Sequence, residues 1–285
     1  MRILVFCPTY QIAPGALAIH PETQRSIDEL QHGEHDVTVM IRPDPHEDKQ
    51  GNVFQQYVWM RSYILENAFD AVLIVEHDMI VPDDALVKMA ATDAGVVYGV
   101  YLFRHAKPTL NAFRAVCPPS LDQSIALFPD EYERAKRSGA WPVSGLGFGC
   151  TLIRRDVLEK IEIRRPNGGY YPDGPFAADC CKHGIKQMAR FDVECGHIKP
   201  DGRVLWPGLE NDWMYDTLKV KILVNFNGEI GGRTMPFTAG SEVNIPYEAA
   251  NDYARAGFCA LIETAPALKI IGAKNGKPTR VQAVK

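Results

Sequence analysis

Glu76, His77 and Asp78 follow directly on the apolar run AVLIV, within the stretch DAVLIVEHDMIVPDDAL. Two carboxylates and an imidazole at the mouth of a buried strand need partners or an opening, because a polar group buried alone costs roughly 2–7 kcal/mol. A strand end that faces a crevice provides the opening. Far along the chain another apolar run, MARFDVECGHI, ends at His197. Carboxylate oxygen with one imidazole is a donor set for a hard divalent cation, manganese accepting the imidazole more readily than magnesium. Asp78 and His197 would leave most of an octahedron for a diphosphate and water. A cation there would neutralise charge gathering on a departing nucleotide diphosphate. By residue type and spacing alone, a solvated turn and an ordinary loop histidine fit these positions equally well.

Strands are expected where these groups need support. RILVFCPTY is a near-continuous apolar run, the pattern of a strand covered on both faces in a parallel sheet, and HDVTVMIRP and AVLIV read as the next two strands. A polar stretch around Glu22 to Gln31 is helix-compatible. NVFQQYVWMRSYILENA places Val53, Tyr57, Met60 and Ile64 at helical spacing. This alternation predicts an α/β fold built on a mainly parallel sheet flanked by helices. Pro82, Asp83 and Asp84 fit a helix start, with an Asp capping free backbone N–H groups. AGVVYGVYLFR reads as a further strand. A long irregular stretch, Leu110 to Pro129, precedes WPVSGLGFGCTLIRRDVLEKI, whose Gly145, Gly147 and Gly149 lead into a strand and a helix. This spacing lacks both the lysine of a P-loop and the GxGxxG register, so it signals close backbone approach to a ligand or a neighbouring strand.

From Leu218 the pattern changes to alternating strand residues, an Asn-Gly turn and one short helix. The expected organisation is a main domain over 1–216, a small β-rich module over 217–263 and a basic tail over 264–285. The tail carries Lys269, Lys274, Lys277, Arg280 and Lys285 with no acidic residue, against a net charge of −4 for the whole chain of 285 residues. That total gives no general attraction to nucleic acid or anionic lipid. No run is long enough to span a membrane. Seven cysteines without Cys-x-x-Cys spacing predict reduced thiols and a cytoplasmic protein, with Cys180-Cys181 as helix packing.

Taken together, ILVFCPTY, YILENAFDAVLIVEHDMIVPDDAL, GLGFGCTLIRRDVLEKI and DCCKHGIKQMARFDVECGHI resemble the successive blocks of a GT-A (Rossmann-like) glycosyltransferase near the family-2 group, over roughly Met1 to Gly208. The family's usual Asp-x-Asp is here Glu76-His77-Asp78. The resemblance implies a transferase, hexosyl transfer foremost, that moves a sugar from a nucleotide-sugar, UDP first among them, to an acceptor hydroxyl. It implies that Asp78 and His197 hold Mn2+ or Mg2+ against the diphosphate. Pro8, Thr9 and Tyr10 would line the nucleoside pocket with Arg42, and Arg61 would face the nucleotide. Glu76 and His77 would meet the ribose or sugar. Gly147 and Phe148, in GLGFG, would border sugar and acceptor, with Trp141 as a stacking surface for the acceptor. Lys199, Arg203 and Trp206 belong to a loop that in relatives folds over the diphosphate.

An inverting transfer needs a carboxylate to take the acceptor's proton. Asp179 aligns with the acidic residue that begins the family's penultimate helix and is the expected base, with Asp173 as its rival; a helix cap is the plainer role for Asp179. The C-terminal segment is similar to a small β module of bacteriophage proteins. That likeness makes a hydroxymethylated pyrimidine in phage DNA a candidate acceptor, with RRDVLEKIEIRR and the tail on phosphates. Polysaccharide or protein acceptors, and a non-catalytic carbohydrate- or DNA-binding phage protein, are the alternatives.

Overall fold

The structure is a computed structural model; it describes residues 1–13, 16–44, 49–103, 110–114, 127, 129–165, 171–207, 217–230 and 233–262. The chain forms two compact units, Met1–Met214 and Tyr215–Lys285. In chain order the first unit holds β1 (Arg2–Ala13), β2 (Ala16–Leu17), α1 (Pro21–Asp28), β3 (Asp36–Asp44), α2 (Lys49–Glu66), β4 (Ala71–Val75), β5 (Met79–Ile80), α3 (Ala85–Ala90) and β6 (Val96–Val100). It continues with β7 (Phe113–Arg114), α4 (Pro129–Ser138), β8 (Ala140–Gly145), β9 (Cys150–Arg154), α5 (Arg155–Lys160), α6 (Asp173–Lys182), β10 (Gln187–Glu194), β11 (Gly196–Ile198) and β12 (Val204–Leu205).

A nine-stranded sheet runs β1-β4-β9-β6-β10-β8-β7, with β2 and β3 both paired to β1. β1 is parallel to β3 and β4, and β6 is parallel to β10. β9 runs antiparallel between β4 and β6, so those five strands share one direction and their carboxyl ends collect at one edge. The fold is therefore mixed α/β, a large mainly parallel sheet flanked by helices. Every residue of β4 is buried, as expected of an apolar run covered on both faces. Fully burying each of its Val, Leu and Ile side chains contributes about 1.5–3 kcal/mol.

Three details differ from the sequence reading. α4 fills the segment between the stretch read as irregular, Leu110 to Pro129, and the glycine-rich run, and β8 extends into that run as far as Gly145. MARFDVECGHI is not one strand: β10 stays in the large sheet, while β11 leaves it and pairs with β5 and β12. At α3 the N-cap Asp84 makes no side-chain cap bond. Instead Asp84 pairs with Lys88 at 2.6 Å one turn on, and Asp83 accepts from Gln31 Nε2 at 2.7 Å.

Helix ends leave carbonyls without intrahelical partners, and arginines fill that role here. Arg61 Nε donates to Leu158 O and Ile161 O, at 2.8 and 3.1 Å, at the end of α5. Arg155 donates to Ile64 O and Leu65 O, at 2.9 and 2.8 Å, at the end of α2. Arg154 does the same for Ala90 O of α3 at 2.6 Å.

The second unit contains β13 (Thr217–Ile222), β14 (Phe226–Ile230), β15 (Arg233–Phe237), β16 (Glu242–Pro246), α7 (Tyr247–Arg255) and β17 (Cys259–Leu261). β13 lies between β16 and β17, and β14 pairs with β15. Asn227-Gly228 sits inside β14 opposite Pro236 and Met235, so the turn expected there is a strand. Phe226 stacks on Phe237 at 4.8 Å and on Phe258 at 4.7 Å, forming this unit's aromatic centre. The basic tail lies outside the described residues. Among the described residues no helix is long and apolar enough to cross a membrane.

Candidate active site

β4 delivers its last residue to the shared strand edge, and the chain turns at once, with Met79 N–H donating to Glu76 O at 3.0 Å. β5 then runs back against β11 with His197 opposite Met79 and Gly196 opposite Ile80. Ile198 N–H donates to Asp78 O at 2.9 Å. This small sheet carries two distant segments to one place. Asp78 Oδ1 stands 3.9 Å from His197 Nε2, and both side chains are nearly buried, at 10% and 8% exposed.

The orientation of the imidazole is set from behind. His197 Nδ1 lies 2.7 Å from Leu102 O, a carbonyl that can only accept, so Nδ1 carries a proton and Nε2 is the nitrogen turned towards Asp78. At 3.9 Å the two groups are too far apart for a hydrogen bond. They suit two donors to one divalent ion, each about 2.1 Å from it. Among the described residues no group of three or more His, Cys, Asp or Glu side chains is placed to hold a metal ion. Trp206 packs over Gly196 beside His197: a β-carbon on Gly196 would stand 2.8 Å from the indole.

A second group of polar side chains lies beside the pair. Tyr101, at the end of β6, sets its ring edge-on to His197 at 5.4 Å. Its hydroxyl accepts from Gly149 N–H at 3.2 Å. Tyr57 of α2 donates to Glu76 Oε1 at 2.6 Å, and Glu76 N–H is held by Gly149 O at 3.0 Å. Burial pushes both tyrosine hydroxyls well above their usual range, with the Glu76 charge adding to it, so both stay protonated donors. Gly147 is crowded on its open side. A β-carbon there would lie 2.5 Å from Tyr101 Oη, 3.0 Å from Asn111 Nδ2 and 3.0 Å from Asp173 Oδ2. Asp173 opens α6, and burial raises its carboxyl above the usual range although Gly174 N–H donates to it at 2.9 Å.

The expected residues divide into those that meet here and those placed elsewhere. Asp78, His197, Glu76, Gly147 and Trp206 stand together, and His77, between Glu76 and Asp78, holds His20 N–H on its carbonyl at 3.0 Å. Pro8 and Arg42 are in register at the ends of β1 and β3. Arg42 lies over the Trp59 ring at 4.3 Å. Thr9 is buried, its carbonyl accepting from Gln56 Nε2 at 2.6 Å. Tyr10 pairs with Asp44 through the backbone, and its side chain is outside what is described. Lys199 and Arg203 close a tight hairpin, Lys199 N–H donating to Arg203 O at 2.7 Å, while Arg203 Nε donates to Asp201 at 2.9 Å.

Four placements correct the expectation. Arg61 is occupied at the end of α5, as given above. Phe148 is 2% exposed and packs edge-on against Tyr57 at 5.0 Å and Phe176 at 5.3 Å, so it offers an acceptor no face. Trp141 lies near the start of β8 with Arg134 of α4 5.4 Å over its ring, at the opposite end of the strand from Gly145. Asp179 is gripped by Arg164 through two bonds of 2.6 and 2.9 Å and approached by Lys182 at 3.5 Å. The Arg164 bond is the main cause holding its carboxyl below the usual range, the reverse of what a base needs. Sequence reasoning missed Tyr57, Tyr101 and Asn111. The two tyrosines read as core aromatics, and Asn111 fell in a stretch without periodicity.

No protein-family model matches the sequence, and no curated protein matches it either. Among solved structures the chain is similar to A197 from STIV, at 19% identity over 72% of this chain and 94% of that one, with a TM-score of 0.46. It is similar to a glycosyltransferase involved in glycosylation of the major capsid of PBCV-1, at 8% identity over 56% and 63% of the two chains, TM-score 0.31. It is also similar to the catalytic domain of Drosophila β1,4-galactosyltransferase 7, at 12% identity over 84% and 92%, TM-score 0.40. Likenesses of this degree leave the chemistry to be argued from the residues at the strand edge.

Proposed function

We propose that the first unit is a metal-dependent glycosyltransferase of the GT-A kind, moving a hexosyl group from a nucleotide-sugar, UDP-linked first among them, to an acceptor hydroxyl. The observation that supports it is the Asp78–His197 pair: a carboxylate and the imidazole Nε2 facing each other at 3.9 Å beyond the carboxyl ends of parallel strands. A divalent ion held by these two side chains, manganese before magnesium, would offset negative charge on the departing diphosphate.

The remaining work belongs to the chain's own groups. Pro8, Thr9 and Arg42 would border the nucleoside, while Trp206 and the Lys199–Arg203 hairpin flank the diphosphate. Glu76, fixed by Tyr57, accepts from sugar hydroxyls. Asp173, in place of Asp179, takes the acceptor's proton in an inverting displacement. Its raised pKa brings it towards neutral operating pH, and its place against Gly147 sets it beside the sugar.

Of the acceptors, polysaccharide or protein is preferred to phage DNA. The arginines expected on phosphates are occupied, Arg154 and Arg155 on helix carbonyls and Arg164 on Asp179. The net charge of −4 opposes a polyanion.

Thermal melting with nucleotide and manganese tests the reading. UDP should raise the melting temperature only with manganese present, and Asp78→Asn should abolish the rise. If neither UDP nor GDP with manganese moves the wild-type transition, the transferase reading fails in favour of a non-catalytic binding protein.

A further inference from the structure

We infer that the free edge of β3 pairs with the same edge of a second copy of this chain, antiparallel about Val39, to make a two-fold dimer with one sheet continuous across it. β3 runs over Asp36–Asp44 and bonds to β1 alone; among the described residues no strand lies on its outer side. None of Asp36 to Pro43 is buried, and Val39 is 43% exposed. Asp36 N–H donates to Met1 O at 2.9 Å, beside β1. Successive residues of a strand turn their N–H and C=O groups to opposite edges, so Thr38, Met40 and Arg42 also face β1, while Val37, Val39 and Ile41 face outward. A long edge of this kind is usually blunted by charge or proline. Here the run from Val37 to Ile41 has neither, and Arg42-Pro43 comes only after it.

Register selects the partner. Two copies of one edge related by a two-fold axis run antiparallel, and with Val39 opposite itself, Val37 meets Ile41 and Asp36 meets Arg42 at both ends of the ladder. The outward residues Val37, Val39 and Ile41 then exchange backbone bonds with one another, and Pro43, which has no N–H, falls just outside. Centring the pair on Met40 would set Pro43 against Val37 and Asp36 against Asp44, losing a donor and opposing like charges. Centring it on Thr38 would leave Ile41 beyond the partner strand. The charges at the ladder ends are open to this exchange. The Asp36 side chain is 77% exposed, its contact with Arg2 being at 3.9 Å. Arg42 rests the face of its guanidinium on Trp59 at 4.3 Å, which leaves the N–H groups at its rim.

Sedimentation equilibrium of the full chain at micromolar loading is the test. The wild type should give a particle of twice the 31.7 kDa chain mass. Val39→Lys sets like charges opposite each other at the centre and should yield monomer with an unchanged melting temperature, since this side chain is already exposed. Asp36→Arg and Arg42→Asp each oppose like charges at both ends and should weaken the dimer about tenfold or more; mixed in equal amounts the two variants are complementary and should recover it. A monomeric wild type overturns the inference, and is the result expected if the edge instead receives an extended segment of another protein. A dimer that survives V39K belongs to another face, and a mixture of D36R and R42D that stays as weak as its parts overturns the pairing about Val39. Nucleotide binding enters none of these readouts, so the transferase reading stands or falls separately.

Discussion

α6 carries two carboxylates with opposite surroundings. Asp173, at its first residue, packs against Gly147 under burial that raises its pKa, and no cation pairs with it among the described residues. Asp179, further along the same helix, is neutralised by Arg164 and Lys182 and lies on the low side of the carboxylate range. Residue type and helix are the same at both positions; the neighbours decide which proton can move. A base gains from being costly to ionise, whereas an ion pair removes that cost and the reactivity with it.

The contrast breaks most visibly in turnover. Asp173→Asn should cut it by about a hundredfold or more while leaving donor binding intact; Asp179→Asn should change it little. If D179N is the crippled variant in a donor-consumption assay, the roles are reversed.

Gly147→Ala tests the crowded side of Asp173. The added methyl meets Tyr101 Oη at 2.5 Å, and urea unfolding should show a loss of about 1–3 kcal/mol, with weaker sugar-nucleotide binding. The Arg164–Asp179 pair, by comparison, is half exposed on its arginine side, and Arg164→Ala should cost about 1 kcal/mol or less.

The finest test is the sign of two pH dependences. Asp173 holds its proton more tightly folded than unfolded, so its contribution to stability falls as pH rises from the ordinary carboxylate value to its raised one. D173N should therefore gain on the wild type across that rise. Asp179 has a depressed folded pKa, so its contribution is present above the ordinary value and vanishes as pH falls through the lowered one. Melting curves of D179N and wild type should converge in acid.

The sheet and its acidic strand end were legible because AVLIV is apolar at every position and stops abruptly at Glu76. The meeting of Asp78 with His197 was expected from two strand ends, but it is made in a separate small sheet, where β11 carries His197 against β5. What stayed hidden depends on events outside any local window. β9 reverses direction between parallel neighbours, which its apolar composition does not reveal. Tyr57 and Met60 share the same helical stripe, yet one ends in a hydroxyl on Glu76 and the other is packing alone. The helix expected to begin near Asp179 begins at Asp173, which leaves Asp179 well inside it. The arginines of RRDVLEKIEIRR looked available for phosphates because nothing local tells that helix ends lie within their reach.

β5 is two residues long and β11 three, so few backbone bonds hold the ribbon that joins the carboxylate to the imidazole. The amide proton of Ile198, shared with Asp78 O, is consequently a built-in reporter: deuterium should replace it at the rate at which this ribbon opens, without waiting for the whole unit to unfold. A cation bound as proposed between Asp78 and His197 would slow that replacement, so its binding can be followed at one backbone position in the absence of turnover.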